Sequence, residues 1–336
     1  MIKEEGSVRI DLLGGTLDLE PVNLILKDVY TLNLATSLKA EVTLEESDFD
    51  GVEIISLDYN SQKKFSKSDF TEDKLRGDFF GPLRFVATIL FHLNCITNIK
   101  MTLKSGSPAG AGLGGSSSMG VTLYKALTRY KGEKCDREDT ITEVKKIEAK
   151  DLECGPTGYQ DYYPALYGGV LALKPGIAGI VVKQLFTADL KSFIEDHITL
   201  VFSGQTRLSG INNWEVYKAF FDGDKKTKEG LQKIADLSKK ALLAIENREF
   251  DNFINFIKEE GSERTKLFPG ILTAEMSSFF EEAKKINKQV GMKVCGAGGG
   301  GCFIVIHPPE VKKELVSLIE KSKMTELSFR VDSPLS

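Results

Sequence analysis

Glycine and serine are concentrated in one segment whose composition suits the binding of phosphate. Residues 107–118 have the sequence Ser-Pro-Ala-Gly-Ala-Gly-Leu-Gly-Gly-Ser-Ser-Ser. Glycine allows a backbone to approach a ligand closely, and the N–H groups at the start of a following helix attract an anion. Serine hydroxyls can bond phosphate oxygens or ligate Mg²⁺, which prefers oxygen ligands. The segment therefore predicts a phosphate cradle made of Gly110, Ala111, Gly112, Leu113, Gly114, Gly115, Ser116, Ser117 and Ser118.

The same segment is compatible with other structures. Gly110, Gly112 and Gly115 satisfy the GxGxxG spacing of a dinucleotide-binding turn. No βαβ pattern, however, delivers the acidic residue expected about twenty positions later. A Walker P-loop is excluded because no Gly-Lys-Ser/Thr follows. A helix capped by serine after a flexible turn is the alternative that needs no ligand.

A second glycine cluster lies near the C-terminal end of the chain. Residues 296–301 contain five glycines in six positions. Such a segment would be entropically costly if it only turned the chain between two strands. We therefore expect it to approach a ligand or the 110–115 segment closely.

The elements around these segments predict an α+β protein in two lobes. Alternating apolar residues predict strands at 7–13 and 38–45. Leu83, Val86 and Leu90 fall on one helical face. Further strands are predicted at 98–103, 169–173, 179–185, 197–202, 292–295, 302–306 and 327–331, and helices at 81–93, 116–130, 138–152, 226–247, 250–260, 272–288 and 309–322.

Composition excludes several classes of protein. The 336 residues carry 44 basic and 48 acidic side chains, a net charge of −4, which argues against a nucleic-acid-binding surface. No apolar run approaches the ~18 residues of a membrane span, and the first residues lack the apolar region of a signal peptide. Five widely spaced cysteines without a CxxC motif, and three scattered histidines, indicate neither a disulfide framework nor a zinc site. These features predict a cytoplasmic protein with reduced thiols.

Three segments together resemble the motifs of the GHMP small-molecule kinases, the family of galactokinase, homoserine kinase, mevalonate kinase and phosphomevalonate kinase. Residues 108–117 are similar to the family's Pro-x-Gly-x-Gly-Leu-Gly-Ser-Ser motif, with Gly115 in place of the first hydroxyl residue. Residues 293–303 are similar to its third motif. Residues 8–18 are similar to its first, Gly-Arg/Lys-x-x-Leu-x-Gly-x-x-x-Asp, with Val8 in place of glycine. The double glycine at 14–15 is more similar to the heptose-phosphate and fucose kinase branch.

The resemblance implies catalytic and metal-binding roles for four residues. Asp161 lies in a segment similar to the family's Gly-x-x-Asp-Gln, which carries the catalytic base; an Asx turn is the alternative. Arg9 matches the basic position of the first motif and would stabilise the transferring charge, or it is an ordinary strand arginine. Ser116 and Glu148 match the Mg²⁺ ligands. The spacing from Glu148 to Asp161 is one residue longer than in the family, so Asp151 and Glu153 are alternatives to Glu148, and a solvated helix face is the alternative without a metal.

The resemblance also implies a substrate site and a reaction. Thr16 and Asp18 would bind sugar hydroxyls, although an Asp after a glycine turn also serves as a local cap. Arg207 would bind a substrate phosphate or the transferring phosphoryl group. Trp214, with Phe220 and Phe221, is predicted to belong to the core and not to clamp an adenine.

The fold implied by the resemblance has two lobes. Residues 1–190 would form an ATP-binding lobe like a ribosomal-protein domain with a left-handed βαβ unit, and residues 191–336 a ferredoxin-like lobe. The expected protein is an ATP- and Mg²⁺-dependent kinase acting on a hydroxyl of a sugar or sugar phosphate of the heptose-7-phosphate, fucose or galactose type. A mevalonate- or homoserine-type kinase and a non-catalytic nucleotide-binding protein are the alternatives. We expect a monomer or homodimer without a nucleic-acid or membrane partner.

Overall fold

The computed structural model describes residues 1–152, 157–206 and 211–336. The predicted ligand Arg207 and the alternative Glu153 therefore lie outside the described residues. The strands are β1 (Ile2–Leu13), β2 (Thr31–Glu46), β3 (Gly51–Ser56), β4 (Ser61–Ser66), β5 (Ile99–Lys104), β6 (Val170–Gly176), β7 (Gly179–Gln184), β8 (Ile198–Phe202), β9 (Gly291–Val294), β10 (Cys302–Ile306) and β11 (Thr325–Glu326).

The described residues contain α-helices in both halves of the chain. They are α1 (Val22–Ile25), α2 (Glu72–Arg76), α3 (Arg84–His92), α4 (Gly115–Tyr130), α5 (Arg137–Leu152), α6 (Tyr163–Tyr167), α7 (Ala188–His197), α8 (Ile211–Phe221), α9 (Lys225–Glu246), α10 (Phe250–Leu267), α11 (Ala274–Ile286) and α12 (Lys312–Lys321). Among the described residues, no helix is both long and apolar enough to cross a membrane.

The chain divides into two compact units that interleave along the sequence. The first unit contains residues 1–8, 38–108 and 114–167. The second contains residues 9–37, 109–113 and 168–336. The division at residue 190 that the sequence suggests stays a prediction.

The first unit contains strands β3, β4 and β5 and the later part of β2, with helices α2 to α6. The sheet order is β4-β3-β5-β2, β1 pairs with β2, and β3 runs parallel to β5. Every second residue of β2 is buried from Ala40 through Val42 to Leu44, as the alternation in the sequence predicts. β4 is an edge strand whose exposed Lys63 and Lys64 oppose pairing with another chain. The apolar faces of α3, α4 and these strands form one core, which includes Val42, Ile54, Phe80, Leu90, Met101 and Leu127.

The second unit contains a four-stranded sheet in the order β11-β8-β10-β9, with every neighbouring pair antiparallel. Its chain order is strand, helices, two strands, helix, strand, which is the ferredoxin-like arrangement that the family resemblance implies for residues 191–336. In the same unit the early part of β2 pairs with β6, and β6 pairs with β7. The mixed fold with two sheets is therefore confirmed.

The differences from the predicted elements have local causes. Residues 51–66 form the β3–β4 hairpin, which is not predicted because its exposed strand is rich in lysine and serine. The final strand covers only Thr325–Glu326, and Val331 makes an isolated bridge to Thr36. The prediction that Trp214 and Phe221 are core residues is wrong, since both are more than half exposed; Phe220 is buried.

Candidate active site

The predicted phosphate-binding segment alternates left-handed glycines with other residues. Gly110, Gly112 and Gly114 have φ values of 69°, 76° and 70°, a backbone conformation that residues other than glycine rarely adopt. Alternation of right- and left-handed residues orients successive N–H groups into a concave anion-binding surface. Gly114 is the N-cap of α4 and has no side chain to cap the helix. The first-turn N–H groups, which have no intrahelical acceptor, can therefore serve a ligand, and the serine-cap alternative does not apply.

The predicted base, Asp161, lies against the start of α4 within the first unit. A Cβ built on Gly114 would be 3.1 Å from both Cβ and Cγ of Asp161. Asp161 is half-buried and directly precedes the buried Tyr162. The carboxylate is thus held close to the turn that begins the helix, and a side chain at position 114 would displace it.

The predicted metal ligand Glu148 forms a buried hydrogen-bonded cluster in the same unit. Its Oε2 accepts hydrogen bonds of 2.7 Å from the Ser117 hydroxyl and 2.7 Å from the Tyr162 hydroxyl. Tyr162 is in turn 2.6 Å from the hydroxyl of Thr157. Burial raises the pKa of Glu148, although hydrogen bonds from Ser117, Tyr162 and Ser116 work in the opposite direction. Glu148 therefore lies beside the first turn of α4, whereas the alternative, Asp151, is bound to Arg84 at 3.0 Å.

The three serines of the segment differ in their surroundings. Ser116 is exposed, Ser117 donates to Glu148, and Ser118 is fully buried. The Ser118 hydroxyl donates to the carbonyl oxygens of Gly6 and Ser7 at 3.0 and 3.1 Å. Ser118 thus ties α4 to β1, and its predicted contact with phosphate stays a prediction.

The two glycine segments pack against each other within the second unit. A Cβ on Gly301 would lie 2.7 Å from the carbonyl oxygen of Ala111, and the backbone N–H of Cys302 donates a hydrogen bond to that oxygen. Arg9, which is 2% exposed, donates through Nη1 to the carbonyls of Gly112 and Cys295, both at 2.6 Å. Arg9 therefore holds the two segments together, and its action on the transferring phosphoryl group stays a prediction.

A buried ion cluster supports the glycine turn of the first motif, and the sequence interpretation missed it. Lys293 Nζ is 2.7 Å from Asp11 Oδ2 and 3.4 Å from Glu260 Oε2, and all three side chains are at most 4% exposed. Burial opposes the ammonium charge, but Asp11 and Glu260 outweigh it and raise the pKa of Lys293. The remaining carboxylate oxygens accept from the backbone, Asp11 from Gly15 N and Glu260 from Gly14 N. Asp11 and Lys293 lie inside the matched motifs, but nothing in the sequence pairs them.

The predicted sugar-binding residues lie on the short 3₁₀ turn at 15–17 and directly after it. Thr16 and Asp18 are 4% and 8% exposed. The Thr16 carbonyl accepts a 2.9 Å hydrogen bond from the buried Tyr217 hydroxyl of α8. Burial, followed by the charge of Asp18, raises the pKa of Tyr217, so the phenol stays protonated as a donor. The turn is thus fixed from one side by α8 and, through Glu260, from the other by α10.

Comparison with known proteins finds matches to one family of kinases. Residues 83–169 match the family model described as the GHMP kinases N terminal domain. The bifunctional fucokinase/GDP-fucose pyrophosphorylase of Arabidopsis thaliana is 26% identical over 335 residues, covering 95% of this chain and 31% of that protein. The mevalonate kinase of Methanothermobacter thermautotrophicus is 27% identical over 215 residues, covering 64% of this chain and 66% of that protein. The chain therefore spans less than two thirds of the length of either relative.

A solved structure extends the likeness to the whole chain. The D-glycero-D-manno-heptose 1-phosphate kinase from Bacteroides thetaiotaomicron superposes with a TM-score of 0.76 at 20% identity, covering 99% of this chain and 97% of that chain. The fold is thus that of the GHMP kinases. The chain carries a GHMP kinase N-terminal domain, and the resemblance drawn from the three motifs is confirmed.

Proposed function

We propose that this protein is an ATP-dependent kinase that transfers the γ-phosphate to a hydroxyl of a sugar or sugar phosphate. The observation that carries the proposal is the arrangement at the start of α4. There a glycine N-cap with φ of 70°, the Ser117–Glu148 hydrogen bond of 2.7 Å and the Asp161 carboxylate lie together in one unit. A site for phosphoryl transfer needs an anion-binding backbone, oxygen ligands for a cation and a base for the attacking hydroxyl.

The residues at the helix start fit ATP and Mg²⁺. The concave backbone at 110–114 and the first-turn N–H groups of α4 would bind phosphate oxygens without a lysine. Ser116, Ser117 and Glu148 offer the hydroxyl and carboxylate oxygens that Mg²⁺ takes together with water. Mg²⁺, when bound with ATP, neutralises charge on the phosphates. Glu148 must be ionised to act as a ligand, and a cation next to it favours that state.

The remaining roles follow from chemistry available to each side chain. Asp161 accepts the proton of the attacking sugar hydroxyl, or orients that hydroxyl, as it approaches the γ-phosphorus. Asp18 accepts hydrogen bonds from other sugar hydroxyls, and Thr16 donates or accepts beside it. Arg9 keeps the glycine segments at a fixed spacing through its bonds to Gly112 and Cys295. The cluster of Asp11, Lys293 and Glu260 fixes the backbone of the turn that carries Thr16.

The relatives supply a direct test of substrate class. The purified protein is incubated with Mg²⁺-ATP and, separately, with L-fucose, D-galactose, a D-glycero-D-manno-heptose phosphate or mevalonate, and ADP release is measured. We expect release with a sugar or sugar phosphate at a rate well above that without acceptor. Turnover of mevalonate alone would overturn the sugar assignment and leave the kinase assignment standing.

A mevalonate-type kinase is the second candidate, and the 27% identity to an archaeal mevalonate kinase favours it. The residues of the turn distinguish the two. Mevalonate carries its own carboxylate, so a buried Asp18 at the substrate would repel it. A sugar presents hydroxyls that a carboxylate accepts. Asp18→Asn should therefore raise the KM of a sugar but lower or leave unchanged that of mevalonate.

A further inference from the structure

Helix α10 presents two consecutive turns of buried charged side chains to the first-motif segment. Glu260 Oε1 accepts a hydrogen bond from Gly14 N at 3.3 Å. Arg264 lies one helical turn later, on the same face, and is 2% exposed. Arg264 thus lies on the face of α10 that carries the glutamate bound to Gly14.

A second helix fixes the position of Arg264 independently. Arg264 Nη2 donates to Asn213 Oδ1 at 2.9 Å. Asn213 and Tyr217 are one turn apart on α8 and share a face, and Tyr217 bonds to the carbonyl of Thr16 at 2.9 Å. Arg264 is therefore held beside the turn that carries Thr16 and Asp18.

The hydrogen-bonding capacity of Arg264 is not used up inside the protein. In the part of the chain that the structure describes, its Nη1 has no hydrogen-bond partner and its Nη2 bonds to a neutral amide. The buried ammonium of Lys293 contrasts with it because two carboxylates, Asp11 and Glu260, lie within 3.4 Å. Burial lowers the pKa of Arg264, while nearby anionic groups oppose that effect. A buried donor without an acceptor is costly, so Nη1 is poised for a ligand.

We propose that Arg264 is a substrate-binding residue that donates a hydrogen bond from Nη1 to a hydroxyl oxygen of the sugar, while Asp18 accepts a hydrogen bond from the same or the adjacent hydroxyl. A sugar hydroxyl both donates and accepts, so a guanidinium and a carboxylate side by side match it or a vicinal pair. A neutral hydroxyl is favoured over a phosphate group here because the carboxylate of Asp18 repels an anion. The inference rests on the proposed function and adds the residue that selects the hydroxyl pattern.

The test compares Arg264→Met with the wild type on the best sugar found among L-fucose, D-galactose and the heptose phosphate. Loss of one charge-assisted hydrogen bond predicts a rise of about 10- to 100-fold in the KM of the sugar, with the KM of ATP changed by less than about threefold. Monodeoxy analogues of that sugar supply a second readout. The wild type should lose affinity for one particular analogue, and Arg264→Met should not discriminate it from the parent sugar. Arg76→Met, at an exposed surface ion pair, is the matched control.

The outcomes separate the inference from the proposed function. A folded Arg264→Met whose KM for the sugar stays within twofold of the wild type overturns the inference alone. Should that variant fail to fold, Asn213→Ala decides, because it releases Nη2 but retains the guanidinium. If Asn213→Ala raises the KM of the sugar several-fold, the inference is supported; if Asn213→Ala leaves that KM unchanged, the inference is refuted. A wild type that phosphorylates no sugar overturns the proposed function and the inference with it.

Discussion

Replacing Glu148 by Gln separates the metal-binding role of this residue from its contribution to folding. The carboxylate is 4% exposed and accepts two hydrogen bonds of 2.7 Å. Both bonds are made to one oxygen, Oε2, and glutamine has the same shape, so an amide oxygen in that place can still accept both. The substitution therefore removes the charge with little change in packing.

The effect on activity follows from the loss of one preorganised electrostatic group. Removal of such a group costs about 2.7–4 kcal/mol of transition-state stabilisation, or about 10²–10³ in rate. We expect kcat/KM for ATP to fall by that factor at saturating Mg²⁺ and sugar. The assay is coupled ADP release with an increasing Mg²⁺ concentration. Glu143→Gln, on the same helix but paired with Lys146 at the surface, should retain wild-type turnover.

The effect on stability has the opposite sign. Because burial raises the pKa of Glu148 above its ordinary value of 4.5, the native state disfavours the carboxylate. The contribution of Glu148 to the stability of the wild type is fully present below pH 4.5 and is lost as the pH rises through the native pKa. At pH 8 without Mg²⁺, Glu148→Gln should therefore be at least as stable as the wild type, and its advantage should disappear near pH 4.5. A Gln variant with wild-type turnover, or one destabilised at pH 8 but not at pH 4.5, would refute this reasoning.

Three further substitutions probe the rest of the site. Asp161→Asn should lower kcat by about 10²–10⁴ and leave ATP affinity intact by calorimetry; unchanged turnover removes Asp161 from catalysis. Gly114→Ala and Gly132→Ala, both at φ near +70°, should each cost about 1–2 kcal/mol in urea denaturation. Only the former should also lower kcat, by about tenfold or more, because only its Cβ meets Asp161. Lys293→Met leaves two buried carboxylates unpaired and should cost about 3–5 kcal/mol, against less than about 1 kcal/mol for the exposed Lys285→Met; equal losses would contradict the buried-cluster account.

The local pattern of apolar residues was sufficient to predict most of the helices and strands. Helices α4 and α9 and strand β2 repeat apolar residues at the spacing of their own type, and β10 is a short continuous apolar run. Their bounds therefore agree with the predicted ones to within a few residues, except at the start of β2. The β3–β4 hairpin was not predicted. β4 is an exposed edge strand rich in polar residues, so it lacks the alternation of apolar and polar residues that predicts a strand.

The candidate site likewise contains residues that local sequence pattern identifies and residues that it does not. The glycine segments and Asp161 could be found because each sits in a motif with its own composition. Tyr217 could not, because it reaches Thr16 from a helix 201 positions away in the sequence. Arg264 could not, because it lies outside the three motifs and its bond to Asn213 joins two helices. Lys293 is inside a motif, but its pairing with Asp11 spans 282 positions and appears only in the folded chain.

The most direct test of the kinase account is the ³¹P spectrum of a reaction containing the protein, Mg²⁺-ATP and the panel of sugars. We expect a new phosphomonoester resonance and a matching amount of ADP with a sugar acceptor, and neither with Asp161→Asn at equal ATP occupancy. A folded wild-type protein that binds ATP but yields no phosphorylated sugar would contradict it.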